Sequence, residues 1–297
     1  MADEVPFAEE SGLAHIMNSA GRHLRTTDLD TGIVLYEFGY DADDNLVSIT
    51  DRFGNQTLIN RDGSGVPLSI TSPDGITTTL TIDADNHLTG VAYPGGESYT
   101  FEYAADGLLT AKVEPEDNRF EHLFDEIGRL TDATDQEGGH WTYTRSTSAN
   151  SDILTEVISG EGSLTSYLDN TDSTGAYNST ITDPTGAQTL FSQSSDELTV
   201  NKSLPCGMEL AFEYGTDTEY RFQVVKEMTE STPAGLDKVT LRNKTYQDTN
   251  SDGVPDRITE TVAVNSKATS LVTNTLQAQK TITSPAGRTV TTAYDPT

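Results

Sequence analysis

The densest set of candidate ligand atoms lies in YQDTNSDGVPDRI, residues 246–258, where Asp248, Asn250, Asp252, Gly253 and Asp256 spell D-x-N-x-D-G-x-x-D. Calcium is held by a ring of hard oxygens. A loop supplies them best from alternating positions, with a glycine where the chain turns sharply. The side chains of Asp248, Asn250, Asp252 and Asp256, with the Val254 carbonyl, meet that rule, and a structural Ca2+ is the candidate cofactor. The bidentate glutamate that closes an EF-hand is replaced by Thr259, and Glu260 stands one step out of phase. Residues 240–246 and 258–264 alternate as strands do, so 248–259 reads as the loop of a hairpin. A plain acidic turn uses the same residue types, and that alternative stays open.

Catalytic constellations are not found. The chain has no H-E-x-x-H, no G-x-S-x-G, no G-x-G-x-x-G and no P-loop. Cys206 sits in a Pro-Cys-Gly turn without a nucleophile's surroundings, and one cysteine allows no internal disulfide. His15, His23, His87, His122 and His140 show no metal-ligand spacing, and Asp41–Asp44 and Asp83–Asp85 read as solvated turns. With 47 acids, some carboxylate pair will always fit a glycosidase spacing, so such a pair carries no weight. The chain is therefore read as non-enzymatic.

Lys and Arg number 18 against 47 Asp and Glu, a formal charge of −29. That surface repels nucleic acid and anionic membranes and favours cations or basic protein partners. No apolar run is long enough for a membrane helix, and MADEVPFAEE lacks the apolar core of a signal peptide. Sequons at Asn55, Asn178, Asn201 and Asn243 matter only in a secreted eukaryotic setting.

The elements that would position these residues follow from a repeat. The leucine after each turn recurs as Leu46, Leu68, Leu88, Leu109 and Leu130, and a second turn marker at Gly54, Gly75, Gly96, Asn118 and Gly138 keeps the same beat. Between Tyr99 and Asn118, Tyr99, Phe101 and Tyr103 alternate with Thr100 and Glu102. Asp106-Gly107 turns the chain, and Leu109, Ala111 and Val113 alternate with polar residues. Two residues before the leucine stand Asp44, Asn86, Gly107 and Gly128, types that tolerate a left-handed backbone. The second repeat has Val66 there, which reads as a one-residue insertion absorbed by a bulge. The fold class expected is all-β: tandem hairpins in a long curved antiparallel sheet, a partial shell or solenoid, with an aromatic face continued by Trp141 and Tyr143 and a Thr/Asp/Glu face opposite.

Four segments are expected: an N-terminal segment, 1–33; a regular array, 34–145; divergent repeats with the candidate calcium loop, 146–265; and a return to the repeat, 266–297, cut off in mid-array. In the first, Leu13, Ile16 and Met17 within 8–24 have helical spacing and suggest a short helix covering a sheet edge.

FDEIGRLTDATDQEG (124–138), FGYDADDNLVSITDRFG (38–54), ITDPTGAQT (181–189) and ITSPAGRTVTTAYD (282–295) resemble the RHS/YD-repeat family, whose pattern is Tyr-Asp, two variable residues, Gly-Arg-Leu, a strand, then Asp-Pro-x-Gly. The family includes bacterial RHS proteins, the B and C components of insecticidal toxin complexes, and teneurin cores. The resemblance implies a secreted or cell-surface protein whose repeats form a β-shell around a toxin or effector domain, with that domain or neighbouring repeats as partners. No core-terminating motif or self-cleavage site of the family type is found. The rival reading is an extracellular, calcium-stabilised adhesin that contacts carbohydrate or a surface protein. The loop at 248–256 resembles those of integrin-type FG-GAP and thrombospondin type-3 segments.

Overall fold

The computed structural model describes residues 4–296. They form 26 strands; among the described residues there is no α-helix, and so none long and apolar enough to cross a membrane. Tyr36–Tyr167 form one compact unit, and the chain on either side of it forms another.

The Tyr36–Tyr167 unit is an antiparallel meander in which each strand from Val34–Tyr40 to Ile153–Ser159 pairs with its neighbours in the chain. Its turns share one construction. The first residue's N–H bonds the carbonyl four residues on, and the fourth residue's N–H bonds back, as in Asp125 N to Arg129 O at 2.9 Å and Gly128 N to Asp125 O at 3.0 Å. Where the first residue is Asp, its Oδ1 accepts two more backbone N–H groups, from Ile127 at 3.0 Å and Arg129 at 2.9 Å for Asp125. Asp41, Asp51, Asp62, Asp83 and Asp135 repeat this Asx pattern. The fourth residue is left-handed, as expected at Asp44 (φ 69°), Asn86 (φ 66°), Gly107 (φ 85°) and Gly128 (φ 80°).

Turns open at residues 41, 62, 83, 104 and 125, and at 51, 72, 93, 114 and 135, two series each with a step of 21. The second repeat therefore carries no insertion. Its turn, Asp62 to Val66, has the same five residues, Gly65 takes the left-handed position, and Pro67 stands where the other repeats have leucine. Counting leucines missed this because Leu68 is the next residue along.

The expected bulge exists, but in every repeat. The register shifts at Gly39/Tyr40, Asn60/Arg61, Thr81/Ile82, Glu102/Tyr103 and Leu123/Phe124. A repeat of 21 residues is odd, and side chains alternate with period two, so without a correction each repeat would turn its apolar side over. One bulged residue per repeat restores the parity. Phe38, Ile59, Leu80, Phe101, His122 and Tyr143 then form one 21-residue series on a single face, opposite Ile49, Ile70, Val91, Lys112 and Ala133 in the pairing. Tyr99, Phe120 and Trp141 extend the same face. The other face carries threonines and charges, with Arg119 bonded to Glu102 and Glu121. His122 is the polar member of the apolar series, and its Nδ1 is buried without a partner.

In the other unit the expected N-terminal helix is replaced by strands Val5–Ala8, Leu13–Met17 and His23–Asp28, paired antiparallel. Gly12 (φ 86°) and Gly21 (φ 80°) close two turns and leave too few residues between them to nucleate a helix. Past residue 168 the meander runs from Tyr177–Thr182 to Thr289–Ala293. Its strands lengthen to nine residues in Gln223–Ser231 and 11 in Asp237–Gln247, so divergence from the repeat here is growth of the strands.

Two outcomes follow. At Gly54 (φ 80°) an added Cβ would meet nothing within 4 Å, so Gly54→Ala exposes the backbone penalty alone. It should cost about 1 kcal/mol by urea denaturation, with Gly54→Asn costing less. Backbone N–H groups of Asn45, His87 and Arg129 hold the Asp41, Asp83 and Asp125 carboxyls below the usual range, and the Thr174 and Thr185 hydroxyls do the same for Asp172 and Asp183. Because folding lowers these pKa values, the caps contribute stability above about pH 4, and lose it as pH falls through the lowered values. Self-repulsion from the −29 charge acts oppositely and eases as acids protonate. The circular-dichroism melting midpoint should rise modestly from about pH 8 toward 5 and fall below about 4. A midpoint still climbing in stronger acid would show that the caps do not matter.

Candidate functional site

The longest strands position the chain's most elaborate side-chain cluster. Asp217 opens the turn after strand Glu209–Thr216 and is only 5% exposed. Its Oδ1 accepts the N–H groups of Glu219 (2.9 Å) and Tyr220 (2.8 Å), and its Oδ2 accepts the Tyr246 hydroxyl at 2.8 Å. The Tyr220 and Tyr246 rings meet edge to face at 5.5 Å. The Tyr220 hydroxyl donates to the Leu29 carbonyl at 3.2 Å, across 191 residues of sequence. Burial, and then the negative charges of Asp30, Glu219 and Asp217, push the Tyr220 phenol up to about 12, and burial with the Asp217 hydrogen bond raises Tyr246 also. Both remain neutral donors at physiological pH.

Around this pair the N-terminal hairpin is tied down by charge. Lys244 bonds Asp30, with side chains 21% and 18% exposed, and Arg242 lies 3.7 Å from Glu10. Leu29 is buried at 6% exposure, and its N–H bonds Gly12 O at 2.8 Å. Between hairpin and strands lies a cavity of about 300 Å³ whose wall includes Leu29, Phe222, Val224, Val225, Lys226 and Glu260. Of these residues the sequence marked Glu260 alone, as one step out of phase with the calcium loop. Nothing in the linear pattern marks the meeting of residues 9–30 with 216–260.

At the candidate calcium loop, 248–256 is the tip of the hairpin between Asp237–Gln247 and Arg257–Val264, and residues 257–259 of the expected 248–259 loop belong to the second strand. Asp256 is buried at 4% exposure; its Oδ2 accepts Thr249 N (2.8 Å) and Asn250 N (3.1 Å), and its Oδ1 accepts the Thr249 hydroxyl at 2.7 Å. The Thr249 hydroxyl leads the groups that hold this carboxyl below its usual range. Asp248 accepts Ser251 N at 2.6 Å and Gly253 N at 2.8 Å, and Asp252 accepts Val254 N at 2.9 Å. As arranged, these carboxylates serve as turn acceptors and are not a convergent trio. The trio that converges within 4.8 Å among the described residues is Asp83, Asp85 and His87 in an exposed turn. Its sequence signal is the alternation D-x-D-x-H, although Asp83 there makes the same turn bonds as its counterparts. Cys206 is exposed in the turn Leu204–Met208.

Two tests follow. Tyr246→Phe leaves a buried Asp217 oxygen unpaired and should cost about 1–3 kcal/mol by urea denaturation. Asp256→Ala should lower the melting temperature equally in EDTA and in excess Ca2+ if the loop is held by its own hydrogen bonds. A loss confined to the Ca2+ condition would place the ion in the loop.

The Teneurin YD-shell family model matches residues 8–194. Mouse teneurin-4 is 41% identical over 61 residues, covering 20% of this chain and 2% of the teneurin. Mouse teneurin-1 is 42% identical over 55 residues, covering 18% and 2%. The crystal structure of TcdB2-TccC3 without its hypervariable C-terminal region aligns with 96% of this chain and 18% of that one, at 13% identity and a TM-score of 0.50, a likeness of fold. The chain thus spans a small fraction of the length of each of these proteins. With its 21-residue, Asp-capped hairpins lying inside the matched segment, this chain belongs to the teneurin YD-shell family.

Proposed function

We propose that the chain is a non-catalytic section of wall in a large secreted or cell-surface RHS/YD-repeat protein. Its apolar face is turned toward an enclosed toxin or effector domain, or toward neighbouring repeats of the same protein. The observation that supports this most is the 21-residue apolar series held on one face by one bulge per repeat. Ile70 at 38% exposure and Leu68 at 47% leave part of that surface available for a partner. The work is mechanical: backbone ladders give continuity, and the bulge in each odd-length repeat gives the wall two chemically distinct sides. Exposed Tyr36 and Tyr93 favour the alternative, an adhesin whose aromatic rings contact carbohydrate or a surface protein.

Site-specific photocrosslinking in the full-length parent protein separates the readings. A benzophenone at Ile70, on the apolar face, should capture a segment of the same polypeptide, and one at Thr79, on the other face, should not. Capture of an external cell-surface molecule from Ile70 would favour the adhesin, and equal capture from both faces would remove the wall reading.

A further inference from the structure

The turn Asp83–His87 differs from its counterparts in the residue that closes it. Among the turns that open at residues 41, 62, 83, 104 and 125, it alone sets an imidazole beside two carboxylates; Asn45, Val66, Leu108 and Arg129 stand at the closing position of the others. In those turns the second oxygen of the capping Asp is held by a nitrogen that is no metal ligand. Asp125 Oδ2 accepts Arg129 Nε at 2.7 Å, and Asp41 Oδ2 accepts the Asn45 amide at 3.1 Å.

At Asp83 the two oxygens have different tasks. Oδ1 accepts the backbone N–H groups of Asp85 and His87, both at 2.9 Å, and so closes the turn. Oδ2 meets His87 Nδ1 at 3.3 Å, a long contact to a nitrogen that can accept as well as donate. The Asp85 side chain is exposed and enters no hydrogen bond or ion pair among the described residues. One donor atom from each of the three residues lies within 4.8 Å of the other two. The imidazole is set by its packing: it stacks on Tyr103 with centroids 4.6 Å apart and planes 20° apart, and a Cβ on Gly107 would come within 3.2 Å of its Nε2. Nε2 therefore faces the next turn, and Nδ1 faces Asp83.

We propose that Asp83, Asp85 and His87 bind a divalent transition-metal ion of zinc's type. Oδ2 of Asp83, a carboxylate oxygen of Asp85 and Nδ1 of His87 are its protein ligands, and water completes the shell. One imidazole and two carboxylates suit Zn2+, whereas Ca2+ takes about six to eight oxygens. Ligands about 2.0–2.2 Å from one zinc lie at most roughly 4.4 Å apart, so a small rotation of the exposed Asp85 side chain completes the set. The turn stays closed because Oδ1 keeps both backbone donors. The chain's negative charge attracts every cation alike, and the imidazole supplies the choice among them. This reading is independent of any role of the sheet as a wall.

The test is calorimetric titration of the full chain with ZnCl2 and with CaCl2 near neutral pH. Zinc should bind, and calcium should bind at least tenfold more weakly. His87→Asn copies the closing residue of the Asp41–Asn45 turn, and Asp85→Asn removes a carboxylate that the fold does not use. Each should weaken zinc at least tenfold and leave the melting temperature in EDTA unchanged. On the unaltered protein, the assigned imidazole NMR signals of His87 should shift at substoichiometric zinc, ahead of those of His15, His23, His122 and His140, so a misfolded variant does not rescue the idea. No heat with millimolar zinc, equal binding of zinc and calcium, undiminished zinc binding in both variants, or another histidine responding first would overturn it.

Discussion

The structure depends on how an odd-numbered hairpin repeat keeps its apolar residues on one side. Side chains on a strand alternate between faces, so a 21-residue unit copied without adjustment would present its apolar residues above the sheet in one copy and below it in the next. One bulged residue per repeat removes the conflict, and it falls beside the turn that opens at residues 41, 62, 83, 104 and 125. In turns such as Asp125–Arg129 a single side chain satisfies two backbone donors that would otherwise need water. The Tyr-Asp signature is thus a statement about turn closure, and the shared apolar face is its consequence.

Away from the regular array the same hairpin logic is stretched. Strands of nine and 11 residues leave fewer turns per unit length, and stability shifts from repeated caps to individual contacts. The buried side chains here include Leu29, Ile258, Thr273 and Asp217, and two tyrosines replace a continuous apolar layer as the joint between hairpin and strands. A joint made of hydrogen bonds and ion pairs is specific in geometry and packs its surroundings incompletely, which is why an opening remains beneath it.

The array was legible in the sequence because each hairpin is local: turn residues, left-handed positions and strand alternation all lie within about ten residues of one another. Two readings failed for the same local reason. Pro67 in a leucine slot shifted the count by one, and three apolar residues at helical spacing suggested a helix between Gly12 and Gly21, although those glycines were themselves the turn signal. The hairpin tip at 248–256 is three residues shorter than the loop read from the sequence, and spacing alone does not say whether its carboxylates face inward to a cation or back to the loop's own N–H groups. The cavity and the Tyr220–Leu29 bond were not legible at all, since they join segments about two hundred residues apart.

The bulge in each repeat has an evolutionary corollary. Because parity is restored within every 21-residue unit, a stretch of gene encoding whole units can be duplicated or lost by unequal crossing-over, and every later strand still faces the way it did before. Offspring arrays of different lengths would keep the same inside and outside. A repeat of even length would need no such device, but a deletion that removed only the bulged residue here would invert the lining of all that follows.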